Sequence, residues 1–436
     1  MRFLFIHQNF PGQYRHIAAH YGREGHEVVG IGENPNLRRN KPQIPGVRVL
    51  GYDLPPLKVE GSHAHIARAV HRGQRVAQGA AQLRRTGFVP DVIFAHIGWG
   101  EALFLKDVFP EATIILYCEF FYRAKGGDLG FDPEFPATPE KILRLRVMNA
   151  PLLMALDACD AGMAPTRWQH HQFPACHKPR IATIHDGIDT DVVCPRGEPE
   201  EELITYVSRN LEPYRGFHTF MRAIPEIQRR RPKARIVIVG GDEVSYSPRL
   251  QAGQTYRGLM LKELEGRIDL GRVQFLGKIP YQDYLSVLRR SSVHVYFTYP
   301  FVLSWSLLES MAAGCMVVGS RTPPVEEAIR EGENGLLCDF FCADDIADKV
   351  DQALSIDQRP LRAAARRTVV ERYDLKRVCL PAQVRLVERL IDKNTQLQGQ
   401  RADARPAADV QHLPGDEARG AVGEEQHRAR DIVGLA

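Results

Sequence analysis

Short apolar runs alternate along most of the chain with longer stretches whose apolar residues recur at helical spacing. Runs at 2–7 (RFLFIH), 27–30, 91–96, 113–118 and 161–165 predict buried strands in the first half. Runs at 203–207, 235–239, 273–277, 293–297 and 316–319 predict them in the second. Helical stretches at 14–24, 62–85, 281–290 and 307–313 fall between strands, and others at 343–355, 359–370 and 373–393 follow them. Strand and helix in alternation predict an α/β chain of doubly wound sheets. The polar segment 196–202, rich in Pro, Gly and Glu, breaks the pattern and divides a first domain, 1–195, from a second, 203–372. A helix at 373–393 closes the patterned part. The last stretch, 394–436, has few large apolar residues and is expected to be disordered.

With 436 residues, 44% hydrophobic and 25% charged, the chain has room for two domains and a large core. A net charge of +4 is small for this length and implies no nucleic-acid partner. The eight cysteines are scattered; only Cys338 and Cys342 lie close together, and no second pair at zinc-finger spacing exists. Reduced thiols in a cytoplasmic protein are expected. The first apolar run is too short for a signal peptide, and no run approaches the ~20 apolar residues of a membrane span.

Candidate chemistry concentrates in 298–319, TYPFVLSWSLLESMAAGCMVVG. A strand ends near Pro300, Ser304 and Ser306 open a short helix, Gly314 stops it, and a second strand follows. The loop thus delivers a helix start, whose free N–H groups suit a phosphate, with Glu309 one turn inside. Two roles stand open for Glu309: a ligand for sugar hydroxyls, or the return half of a capping box begun at Ser306. The first loop, HQNFPGQ at 7–13, holds a single glycine, Gly12, so the three-glycine dinucleotide fingerprint is absent. Gly12 serves either a tight turn or a close approach of the backbone to a ligand. His96, Trp99 and Glu101 lie just past the strand 91–96, where open α/β sheets bind ligands. The loop 122–140, rich in Gly, Asp and Pro, is long enough to be a mobile flap over an acceptor site. His170 and His171 lack metal-ligand partners at suitable spacing, and no metal site is expected.

The run LLESMAAGCMVVGSRTPPVEEAIREGENGLL, 307–337, resembles the nucleotide-sugar-binding core of retaining glycosyltransferases of family 4, which have the GT-B fold. The resemblance implies two Rossmann-like domains facing across a cleft, with a terminal helix that crosses back to the first. Glu309 matches the glutamate that holds the ribose. A second glutamate of the family, eight positions earlier, falls on Phe301, and a histidine that contacts the donor sugar is replaced by Glu119. An acid at 119 would hold a sugar hydroxyl or orient the acceptor; otherwise it pairs with Arg123. SRNLEPYRG, 208–216, resembles the family's diphosphate loop, with Arg209 in place and Arg215 standing for its lysine, so that both charges are kept. Gly241, in the loop after 235–239, and Lys278, in the Gly-Lys-Ile-Pro segment, are the remaining donor contacts implied, with Ser304 at the phosphates and His96 and Trp99 toward the acceptor.

Transfer of a sugar from a nucleoside-diphosphate sugar to a carbohydrate or lipid-linked acceptor, with retention, is the function implied, in the synthesis of polysaccharide or glycoconjugate. Arg209, Arg215 and Glu119 are its candidate catalytic residues, and no cofactor or metal is implied. The rival functions are a sugar-nucleotide epimerase or phosphorylase on the same fold, and a non-catalytic nucleotide-sugar-binding module. Arg68, Arg72 and Arg75 share one face of the helix 62–85, which is either solvated or in peripheral contact with anionic lipid at the inner membrane face.

Overall fold

The computed structural model describes residues 1–61 and 63–403. Two all-parallel sheets are its frame. The first has strands β1 (Arg2–Ile6), β2 (Glu27–Glu33), β3 (Val47–Tyr52), β4 (Val92–His96), β5 (Thr113–Tyr117), β6 (Ala161–Ala164) and β7 (Ile181–Thr183), in the order β3-β2-β1-β4-β5-β6-β7. The second has β8 (Leu203–Asn210), β9 (Arg235–Gly241), β10 (Val273–Gly277), β11 (Val293–Tyr296), β12 (Met316–Ser320) and β13 (Leu336–Cys338), in the order β10-β9-β8-β11-β12-β13. Both are doubly wound, as the alternation of strand and helix predicts. The short strands β7 and β13 and the partly exposed β3 have no counterpart among the predicted runs, since three residues, or a half-buried edge, leave little pattern.

The central strands are largely apolar because helices cover both faces of each sheet. Leu4, Ile93 and Leu116 point into one layer of the first sheet, and Phe3, Phe5 and Phe94 into the other. Leu386 and Val387 of the terminal helix, Leu380–Asp403, are buried in that second layer, so the helix returns to the first sheet after the second is complete. It runs past the expected end at 393; the rest of the expected tail, 404–436, lies outside the described residues.

Each sheet reverses its winding once, between β1 and β4 and between β8 and β11. Ligand sites of open parallel sheets form outside the strand ends at such a point. Here those ends carry His7 and His96 in one sheet and Arg209 and the loop 297–304 in the other. The helix after that loop is Trp305–Ala312, two residues earlier than the apolar run indicates, because Ser304 caps it and accepts the Ser306 N–H at 3.3 Å.

The loop 122–140 is no free flap. Although it belongs to the first half of the chain, Asp128 accepts the Tyr214 hydroxyl at 2.7 Å. Asp132 meets the Tyr299 hydroxyl and lies 2.9 Å from His218 Nε2, and Glu134 pairs with Arg222. Phe131 packs on Tyr299, Phe340 and Phe341. Glu327 makes a further tie, accepting the backbone N–H groups of Arg167 and Trp168, each at 2.8 Å. Its neighbourhood in the sequence shows only acids at a helix start.

Candidate active-site cleft

Three histidines that follow strand ends are built alike. His7 Nδ1 accepts the N–H of Asn9 at 2.9 Å, His96 that of Gly98 at 2.9 Å, and His185 that of Gly187 at 3.0 Å. An accepting Nδ1 leaves the hydrogen of the neutral ring on Nε2. Burial lowers the pKa of His7, and that of His185 to about 4, so both rings stay neutral. His96 is 2% exposed, and its Nε2 stands 3.3 Å from Glu119 Oε2. The expected contact of His96 with an acceptor is therefore replaced by a hold on Glu119. Trp99, 42% exposed, stacks on the His96 ring and keeps an open face.

Glu119 also accepts from Gln13 Nε2 at 3.2 Å. Burial works to raise its pKa, but His96 beside it and the guanidinium charges of Arg209 and Arg215 outweigh that and hold the carboxyl below its ordinary range. The alternative pairing with Arg123 is not formed, since that guanidinium donates to the Gln172 carbonyl at 2.6 Å.

Arg209, at the end of β8, is exposed, and its guanidinium makes no hydrogen bond or ion pair among the described residues. Arg215 differs. Its Nη1 donates to Thr298 Oγ1 at 2.8 Å and to the Val302 carbonyl at 3.0 Å, so one edge of the fork fixes the loop before the helix. Tyr296 braces the same loop by accepting the Ser304 N–H at 2.9 Å. Buried Glu212 accepts three successive N–H groups, those of Ser245, Tyr246 and Ser247, at 2.9–3.1 Å. This folds Tyr246 over Phe301, with ring centroids 4.9 Å apart. Phe301 also meets Phe120 at 4.6 Å and Tyr214 at 5.6 Å. The position that lacks a carboxylate is thus an apolar plug between the two halves of the chain.

Glu309 does not cap. Its Oε1 accepts the Tyr281 hydroxyl and its Oε2 the Tyr284 hydroxyl, both at 2.7 Å, which corrects the capping-box alternative. Burial raises its pKa. Lys278 pairs with Glu243 at 2.7 Å, and a Cβ on Gly241 would lie 2.4 Å from the Lys278 side chain, so Gly241 makes room for that pair. Gly12 has φ +47°, and a Cβ there would meet the His7 ring at 2.9 Å; the residue serves the turn.

Asp186 is a feature that the motif pattern does not reveal. It is 6% exposed, and its Oδ2 accepts both the Tyr117 hydroxyl at 3.0 Å and Trp305 Nε1 at 2.7 Å. Its Oδ1 is buried without a partner among the described residues. Burial pushes the carboxyl up to about 7. In the sequence it belongs to His185-Asp-Gly-Ile-Asp189, which resembles the family's Asn-Gly-Val-Asp segment with its tight turn at Gly187 before the linker.

These groups meet in one cleft of two adjoining chambers. The inner, about 160 Å³, is lined by Tyr117, Glu119, Asp186, Arg209, Arg215 and Ser304, among others. The outer, about 860 Å³, is lined by Gly12, Lys278, Tyr281, Tyr284 and Glu309. Arg209, Asp186, Ser304 and Ser306 line both. The larger volume suits a ligand of nucleotide size. Arg209, Arg215, Gly12, Lys278, Ser304, Glu309 and Glu119 are thus brought together; Gly241 sits behind Lys278, and His96 and Trp99 stand behind Glu119. Asp132, Glu134 and His218, which lie close enough to share a cation, are outside the cleft and already balanced by Arg222 and the Tyr299 hydroxyl.

Two family descriptions match the chain: Glycosyl transferase family 4 group over residues 24–193, and Glycosyl transferases group 1 over 194–369. A D-inositol 3-phosphate glycosyltransferase of Corynebacterium aurimucosum is 26% identical over 194 residues, 41% of this chain and 44% of that protein. A phosphatidyl-myo-inositol mannosyltransferase of Mycolicibacterium smegmatis is 29% identical over 202 residues, 44% of this chain and 47% of its own length. The chain therefore spans less than half the length of these relatives. Anabaena HepE, crystallised with UDP and glucose, is similar in structure with a TM-score of 0.61 at 16% identity, over 92% of this chain and 100% of that one. No helix among the described residues is long and apolar enough to cross a membrane.

Proposed function

Since the chain belongs to the glycosyltransferases of the family 4 type and has their two-domain GT-B fold, we propose that it moves a sugar from a nucleoside-diphosphate sugar to a carbohydrate or lipid-linked acceptor, retaining the anomeric configuration. The observation that carries this is Arg209: an exposed cation with no partner among the described residues, at a winding reversal, lining both chambers. A guanidinium left unpaired beside a helix start is suited to a diphosphate. The outer chamber takes the nucleoside, with Glu309 on the ribose, and the inner takes the sugar.

Bond cleavage leaves negative charge on the diphosphate and positive character at the sugar carbon. Arg209, the free edge of Arg215 and the N–H groups at the start of Trp305–Ala312 stabilise the leaving group, the largest electrostatic term. Glu119, kept ionised, faces the sugar carbon's developing charge from the other wall. The leaving phosphate takes the acceptor's proton, so no protein base is required. A lipid-linked acceptor would bring the enzyme to a membrane as a peripheral protein. Of the arginines on the helix 62–85, Arg72 is tied to Glu33 and Tyr52, while Arg68 and Arg75 bond to the Val59 and Asp53 carbonyls.

The test is turnover. Incubated with UDP-, GDP- and ADP-sugars, with and without glycan or phosphoinositide acceptors, the protein should release one nucleoside diphosphate faster when an acceptor is present. No release from any donor would overturn the proposal.

A further inference from the structure

Resting on that proposal, the inner chamber poses a question of supply: which side chains receive the hydroxyls of the transferred sugar? The apolar cage of Phe301, Phe120, Tyr214 and Tyr246 offers no carboxylate. Glu212, also in the wall, commits its Oε2 to three backbone N–H groups. Glu119 is shared between Gln13 and His96.

Asp186 has spare capacity of an unusual kind. Tyr117, from β5, and Trp305, the first residue of its helix, both donate to the same oxygen, Oδ2. The carboxylate is fixed in orientation from both halves of the chain, while Oδ1 is buried and empty-handed. A buried carboxylate oxygen without a donor is costly and rare, and is explained when a ligand completes it. Asp186 lines both chambers, together with Arg209 and Ser304, so it stands where a diphosphate would end and a sugar begin.

We propose that Asp186 is a specificity-determining residue whose Oδ1 holds a hydroxyl of the transferred sugar, with Tyr117 and Trp305 as positioning residues that aim it. A hydroxyl given to an oriented, water-poor carboxylate discriminates strongly, because a donor without that hydroxyl leaves the oxygen unpaired.

Calorimetry on D186N tests this. Asn can keep its oxygen on Tyr117 and Trp305 and turn its NH2 into the chamber, so the fold contacts survive. The probes are UDP, GDP and ADP and their glucose and mannose derivatives. D186N should bind the preferred free diphosphate within about twofold of the native protein, and its sugar derivative about tenfold or more weakly. Equal affinity for the sugar derivative, or an equal loss for both ligands, would overturn the assignment. Should D186N not fold, W305F and Y117F each remove one donor from Oδ2 and leave the carboxylate. A loss confined to the sugar derivative is expected from them, and unchanged affinity would overturn it. If the native protein binds none of these ligands, the proposed function itself falls, a result distinct from an indifferent D186N.

Discussion

Glu309 sits between two tyrosine hydroxyls, and its charge decides what it can do. Exchanged for Gln, it keeps an acceptor for one tyrosine and gives the other an N–H to receive, so the fold should hold. The ribose loses an ionised acceptor. Glu309→Gln is expected to weaken nucleotide binding by ~1–3 kcal/mol with little change in melting temperature, read by calorimetry and thermal unfolding on the same protein. Asp186 gives a pH dependence of definite sign. Its folded pKa of about 7 lies above that of an unfolded aspartate, so the folded state grips the proton more tightly. The stability this contributes is complete below about pH 4 and is lost as pH rises toward 7. Between pH 5 and pH 8, D186N should therefore gain on the native protein by up to ~2–4 kcal/mol in urea unfolding; a gap that does not change with pH would refute the shift. Arg209, Arg215, Ser304 and Glu309 stand in local runs that resemble the family's motifs, and the fold brings all four to one cleft. The setting of Asp186 was not legible in the sequence, since Trp305 lies 119 positions away and only the fold joins them.

Among the elements, the loop 122–140 departs most from its reading in the sequence. Its Gly, Asp and Pro content does identify a long connection, but composition does not reveal that Tyr214, Tyr299 and Arg222, far along the chain, receive its acids. A loop so anchored braces the cleft. Asp132→Ala would leave the Tyr299 hydroxyl buried without its acceptor and remove the carboxylate beside His218, and is expected to cost ~2–4 kcal/mol of stability in urea unfolding. An unchanged midpoint would mean that the loop is not docked in solution. The helix start at 304–306 was misjudged for a related reason. Ser306 and Glu309 satisfy the capping-box pattern, but Ser304 satisfies the cap two residues earlier, and tyrosines from Tyr281–Arg290 claim the glutamate. A pattern that two neighbours can each complete is decided by packing.

For the molecule as a whole, parallel strands buried on both faces write an unambiguous apolar rhythm, and the two doubly wound sheets were legible from it. The returning helix was placed by resemblance; Leu386 and Val387 supply its physical reason, an apolar strip that finishes the first sheet's core. The polar ties between the halves are long in sequence separation, and therefore silent in the sequence: Asp128 on Tyr214, Glu327 on Arg167 and Trp168, Trp305 on Asp186. These ties enclose a cleft in which Arg209, unlike Arg215, makes no hydrogen bond or ion pair through its guanidinium among the described residues. Its removal should cost the fold nothing and the ligand a great deal. Calorimetric titration of Arg209→Ala with the preferred nucleoside diphosphate should show affinity lower by ~2–4 kcal/mol at an unchanged melting temperature; native affinity in the folded variant would contradict a diphosphate site in this cleft.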